Sequence, residues 1–198
     1  MASKYSGRQS KFSQQVREFA EKANGAIDDT IREIIIEIGS SVIRMSPVGN
    51  PEIWAANAVA TQYNKAVDDH NAALRNDPAN LTKAGRLKPG RKLNDGMDLV
   101  VGKGYVGGRL RANWHISLDV VENVTFDETD ANGSETIASL IAGLSDFKPG
   151  QIAYIINNLP YVIPLEYGHS TQAPNGMVRV TLARFQQIVA AAAQHNKV

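Results

Sequence analysis

Through residues 10–43 runs a single apolar stripe: Phe12, Val16, Phe19, Ala23, Ile27, Ile31, Ile34, Ile38 and Val42 recur at steps of three or four. That spacing places them along one side of an α-helix. Arg17, Glu18, Asp28, Arg32 and Glu33 fall mostly off the stripe, where solvent would be. At about 1.5 Å per residue the helix reaches roughly 50 Å, more than a small domain needs for its own core. A helix of that reach commonly packs part of its length against another subunit. The competing reading is two shorter helices on one core, since the flexibility of Gly25 allows a break near Asn24.

Length and composition then narrow the field. A chain of 198 residues makes one large domain, or one domain carrying an insertion, and can bury a core. A net charge of +1 provides no global field toward nucleic acid or an anionic membrane. Without cysteine there are no disulfides, zinc–thiolate sites or cysteine nucleophiles, which fits assembly in a reducing cytoplasm. The polar stretch 1–11 lacks the apolar region of a secretory signal. No apolar run approaches the roughly 20 residues that span a bilayer. A soluble protein is expected, with no membrane partner.

The segment 46–103 changes character, with much Pro, Asn and Gly and little sustained apolar alternation. Residues 55–74 suit a modest helix ending near Asn76-Asp77-Pro78, because proline disfavours helical geometry in the residue before it. Residues 83–92, with Lys83, Arg86, Lys88, Arg91 and Lys92, read as a basic, turn-rich loop. Across 110–126, Trp114, Ile116, Leu118 and Val120 alternate with polar residues, the period of a half-buried strand. Asn132 followed by Glu135 suggests the start of a short helix through Leu144. A second strand is expected over 151–156, and a C-terminal helix over 175–194 with Val178, Leu182, Phe185, Val189 and Ala192 as its stripe. The expected fold is α+β: long N-terminal and C-terminal helices on a small antiparallel sheet, one domain with an inserted loop and helix at about 50–103.

Chemistry-bearing motifs are few. Glu166 and His169 have the Glu-x-x-His spacing of metal-binding bundles, but no second copy is present and Gly168 interrupts a helix there. A structural turn is the better reading. Ser170 has no nucleophile elbow around it. The glycine-rich run 102–109 lacks the Gly-Lys-Ser/Thr of a phosphate loop and leads toward a strand. The basic loop could meet DNA phosphates, yet no aromatic residues interleave with it, so a solvated loop is preferred. No catalytic residues, cofactor or metal are expected; the protein reads as a non-enzyme.

Three ordered segments carry a family resemblance. They are Ser46-Pro47-Val48-Gly49; Gly104-Tyr105-Val106-Gly107-Gly108-Arg109-Leu110-Arg111-Ala112-Asn113-Trp114; and residues 159–179, with Tyr161 and Glu166-Tyr167-Gly168-His169-Ser170. The chain resembles the tail-component and neck proteins of tailed bacteriophages, in which a helix ends at Ser/Thr-Pro-Val. A Gly-Arg-x-Arg-x-Asn-Trp strand and a Tyr-x-x-x-x-Glu-Tyr-Gly-His-Ser element then follow. Family members usually carry a short gap where residues 50–103 stand here. The resemblance implies a structural virion protein, made in the host cytoplasm, that completes the tail and joins it to the head. Its implied partners are further copies in a ring (hexamer or dodecamer), head–tail connector proteins and the tail terminator or tail tube. Genome DNA would pass through without specific recognition.

Read physically, Arg109 and Arg111 alternate with Leu110 and Ala112, so on a strand both would point to one face. Paired guanidiniums suit carboxylates across a subunit seam, with Glu166 an available partner in the same chain or the neighbour. Tyr161, Tyr167 and Trp114 supply apolar bodies with polar tips, although core packing is the stronger reading for Trp114. The interface candidates are therefore Arg109, Arg111, Trp114, Tyr161, Glu166, Tyr167 and His169. A tail-tube terminator ring is the near alternative, and a small metal- or phosphate-dependent hydrolase at Glu166 and His169 the distant one.

Overall fold

The structure, a computed structural model, describes residues 6–197. The fold is α+β and mostly helical, with a long N-terminal helix, a helical C-terminus and a small antiparallel sheet. The chain divides into two compact units, one built from the segments before Gly49 and after Gly107, the other from Gly49–Gly107.

In the first unit, α1 (Ser6–Met45) is one continuous helix of 40 residues, with no break at Gly25. Its C-terminal half is wrapped by other helices, so more than one side is covered. Ile31, Ile35, Ile36, Val42 and Ile43 face the core, whereas Ile34 and Ile38 of the expected stripe are half-buried outside it. Gly39 allows the closest approach: the side chain of Leu140 lies where a Cβ would stand. The N-terminal half leaves Phe12, Val16, Phe19 and Ile27 exposed.

The sheet is smaller than the alternation suggests. Among the described residues it holds two strands, β1 (His115–Leu118) and β2 (Ala153–Ile156), with His115 opposite Ile156 and Leu118 opposite Ala153. The strand expected over 110–126 begins late because Gly108, at φ +112, turns the chain into α3 (Arg109–Ala112), a single helical turn. It ends early because Asp119 adopts φ +62 and its carboxylate accepts the N–H of Ile152 and the amide of Gln151. Arg109 and Arg111 therefore sit on a helical turn and do not share a strand face.

The helix α4 (Ser134–Gly143) is capped from further back than expected. Asp130, not Asn132, accepts the N–H groups of Gly133 (2.7 Å) and Thr136 (2.9 Å), and the Thr136 hydroxyl as well. The C-terminal helix is two helices, α6 (Val178–Ala183) and α7 (Phe185–His195), broken at Arg184. The break shifts the helical phase: Thr181, Ile188 and Ala192 are buried, while Val178, Leu182 and Phe185 of the expected stripe are exposed. Asn196 and His195 tie the end of α7 to Glu33 on α1.

The second unit has more order than its punctuation suggests. Two 3-10 turns (Pro51–Ile53 and Ala55–Asn57) lead into α2 (Ala58–Arg75). A third turn (Pro78–Asn80) and an isolated bridge between Leu81 and Leu87 follow, so the basic loop closes on itself. Residues 92–101 then run along α2 as an extended strap held by asparagines. Asn71 donates to Leu93 O (2.9 Å) and accepts from Leu93 N (2.8 Å). Asn64 makes the same pair with Met97 (2.9 and 2.7 Å), and Asn57 with Val101 (2.8 and 3.0 Å). Seven residues of helix rise about 10.5 Å, a distance that four residues of extended chain cover. Four residues at full extension reach about 13 Å, so a slightly contracted strap lets a heptad of asparagines meet every fourth residue.

Candidate functional site

Residues 46–48, 108–114 and 159–179 of the three segments that carry the resemblance meet in the first unit. Ser46, from the end of α1, accepts a hydrogen bond from Trp114 Nε1 (2.8 Å) and donates to Met177 Sδ (3.3 Å). Arg111 donates from Nε to the carbonyl of Ser46 (2.9 Å), and its guanidinium also reaches the carbonyls of Arg44 and Ala131. Gln172 pairs with both backbone groups of Val48 (3.1 and 2.9 Å). Leu110, Trp114, Leu159, Ala173 and Met177 complete the same core. Trp114 is buried, so its place is in this core.

Asn113 joins these segments to the loop beyond β1. Its side chain holds Phe126 by both backbone groups (2.9 and 2.7 Å) and also donates to Arg109 O. Arg109 donates to the Phe126 carbonyl and pairs with Asp127 at 2.7 Å. An exposed pair of this kind contributes about 0.2–1 kcal/mol.

Glu166 does not meet Arg109 or Arg111. It ends the short helix α5 (Val162–Glu166), and its carboxylate receives the first turn of α6. Oε2 accepts from Met177 N (2.7 Å) and Val178 N (2.9 Å), and Oε1 from Arg179 N (2.9 Å). Arg179 adds its guanidinium, to Oε1 and to the Glu166 carbonyl. Partial burial works to raise the Glu166 pKa, but these backbone N–H groups and Arg179 outweigh it and hold the carboxyl below its ordinary value. Gly176, at φ +80, brings the chain back against Glu166 without a Cβ to obstruct it.

Around this cap lies an exposed aromatic and apolar surface. Tyr167 is 69% exposed with the Arg179 guanidinium 5.2 Å from its ring centre; Tyr161, Ile163, Val178 and Leu182 are exposed too. His169 is exposed beside Gly168. Among the described residues no three His, Asp or Glu side chains converge to hold a metal ion. A groove of about 240 Å³ beside Trp114 and Phe126 is lined by Glu128 and Glu135, and His115 there buries Nε2 with no hydrogen-bond partner. Among the described residues no helix is long and apolar enough to cross a membrane.

The asparagine ladder of the second unit went unread in the sequence, although its signal was there in the seven-residue spacing of Asn57, Asn64 and Asn71. Comparison of the chain with protein-family models, curated proteins and solved structures returns no match.

Proposed function

We propose that this protein is a structural subunit of a bacteriophage neck, completing the tail and joining it to the head connector as part of a ring. The observation that supports this reading is the meeting of the three resemblance segments through Ser46, Arg111, Trp114, Gln172 and Met177. Segments far apart in sequence thus pack into one nucleus, as the resemblance requires of elements that work together. Two surfaces are available for assembly: the exposed residues around Tyr167 and the apolar stripe of the N-terminal half of α1. A non-enzymatic role agrees with Glu166, whose carboxylate oxygens are taken up by the α6 backbone and Arg179.

The test is a phage lacking this gene product. A neck subunit acts after both parts form, so electron microscopy should show DNA-filled heads and finished tails that stay apart. Normal infectious particles would overturn the proposal. Tails of uncontrolled length would move the protein to the tail-terminator level.

A further inference from the structure

The N-terminal half of α1 exposes a regular apolar stripe: Phe12 is 69% exposed, Phe19 66% and Ile27 56%, with Val16 between them. A helix of some 20 residues is marginal in water when its apolar face packs on nothing. The strap along α2 shows the converse pattern. Its three clamped residues, Leu93, Met97 and Val101, are held through their backbone and are 42, 42 and 41% exposed. Because the clamps sit on a helical heptad, the strap displays an apolar side chain about every 10.5 Å. A second helix with an apolar heptad is the complementary shape. Phe12 and Phe19 are seven residues apart, and the stripe from Phe12 to Ile27 spans about 22 Å. The three strap rungs span about 21 Å.

We propose that the stripe of α1 in one copy docks along the Leu93–Met97–Val101 row of a second copy. The choice of a second copy rests on the ring reading above and on this match of period and length. Each copy gives a stripe and receives one, an arrangement that two copies satisfy reciprocally and a closed ring satisfies in succession; the ring is taken from the proposed function. The stripe offers on the order of 400 Å² of apolar surface, about half of one partner's share in a standard interface. One such contact is therefore weak, and closure of a ring would reinforce it.

Cross-linking tests this directly, since the chain has no cysteine of its own. Phe19 lies at the middle of the stripe and Met97 at the middle of the row, so they meet whichever way the helix runs. Purified Phe19→Cys and Met97→Cys variants are mixed and mildly oxidised, and the links are mapped by peptide mass. A 19–97 link is expected as the main product, necessarily between copies. Adding Phe12→Asp to the first variant should reduce it roughly tenfold or more while thermal unfolding stays cooperative. Links only between two copies of position 19 would mean that the stripes pair with each other, and the proposal fails. It fails equally if 19–97 links do not exceed those from an exposed control, Ile152→Cys. Because no phage part is present, this result stands apart from the head–tail joining experiment.

Discussion

The indole N–H of Trp114 donates to the hydroxyl of Ser46 at 2.8 Å, tying the turn after α3 to the end of α1 across 68 residues of sequence. The single Ser46 hydroxyl proton faces the Val42 carbonyl (2.9 Å) and the sulfur of Met177, and the Ser46 carbonyl accepts from Arg111, so four groups depend on the placement of Ser46. Replacing Trp114 by Phe keeps most of the packing but leaves the buried Ser46 hydroxyl short of a donor. The expected loss is about 1–3 kcal/mol in urea unfolding, against about 3–5 kcal/mol for Trp114→Ala. A Trp114→Phe variant as stable as wild type would show that the hydrogen bond contributes nothing.

Asn57 carries three hydrogen bonds while fully buried, two of them to Val101. Changing Asn57 to Ala should cost the second unit about 2–3 kcal/mol and free the Val101 amide. Hydrogen exchange at Val101 should accelerate by tens-fold or more, with the core around Trp114 unaffected. Changing Asn57 to Asp keeps the acceptor but sets a buried carboxylate against the Pro51 and Val101 carbonyls, and should cost at least as much as Ala at pH 7.

Much of the fold was legible in residues whose period matched one element throughout. The α1 stripe and the Trp114–Ile116–Leu118 alternation led to real elements. Legibility failed where one residue with unusual backbone reset the phase. Gly108 and Asp119, both at positive φ, cut the strand from either side, and Arg184 split the last helix. The interface candidates fared similarly. Tyr161, Tyr167 and His169 lie exposed near one another in sequence, but Glu166 turned inward to α6 because backbone N–H groups reached it first. In residues 46–103 the asparagines looked like loop punctuation, since their long-range partners on the strap are not local in sequence.

Glu166 and Asp130 both have carboxyl groups held below their ordinary pKa, each against a contribution from burial that works the other way. For Asp130 the opposing donors are Thr136, Gly133 and Glu135. A depressed folded pKa contributes stability that is present above the unfolded value and is lost as pH falls through the folded one. Thermal stability should therefore be flat near neutrality and decline below about pH 4. A Glu166→Gln, Asp130→Asn double variant should be less stable at pH 7 and show a shallower acid decline. An unchanged acid slope in scanning calorimetry would remove these two carboxylates from the account.

Gly39 admits α4 to within contact of α1, with Leu140 filling the place of a side chain. Gly39→Ala gains helix propensity but must displace Leu140, and overpacking of this kind costs about 1–3 kcal/mol. Pairing it with Leu140→Ala should recover part of the loss, a coupling that a double-mutant cycle on thermal unfolding would measure. Strict additivity would mean that the two residues do not touch in solution.

The strap on α2 is gripped by its peptide groups, so the ladder reads register and ignores identity. Between the rungs at Leu93, Met97 and Val101 the residues can change without touching the ladder, apart from Asp95, whose carboxylate accepts the Tyr63 hydroxyl of α2. Such a segment is a cassette: foreign residues placed between the rungs, with Leu93, Met97 and Val101 kept, would be displayed at helical pitch on every copy of whatever this chain builds.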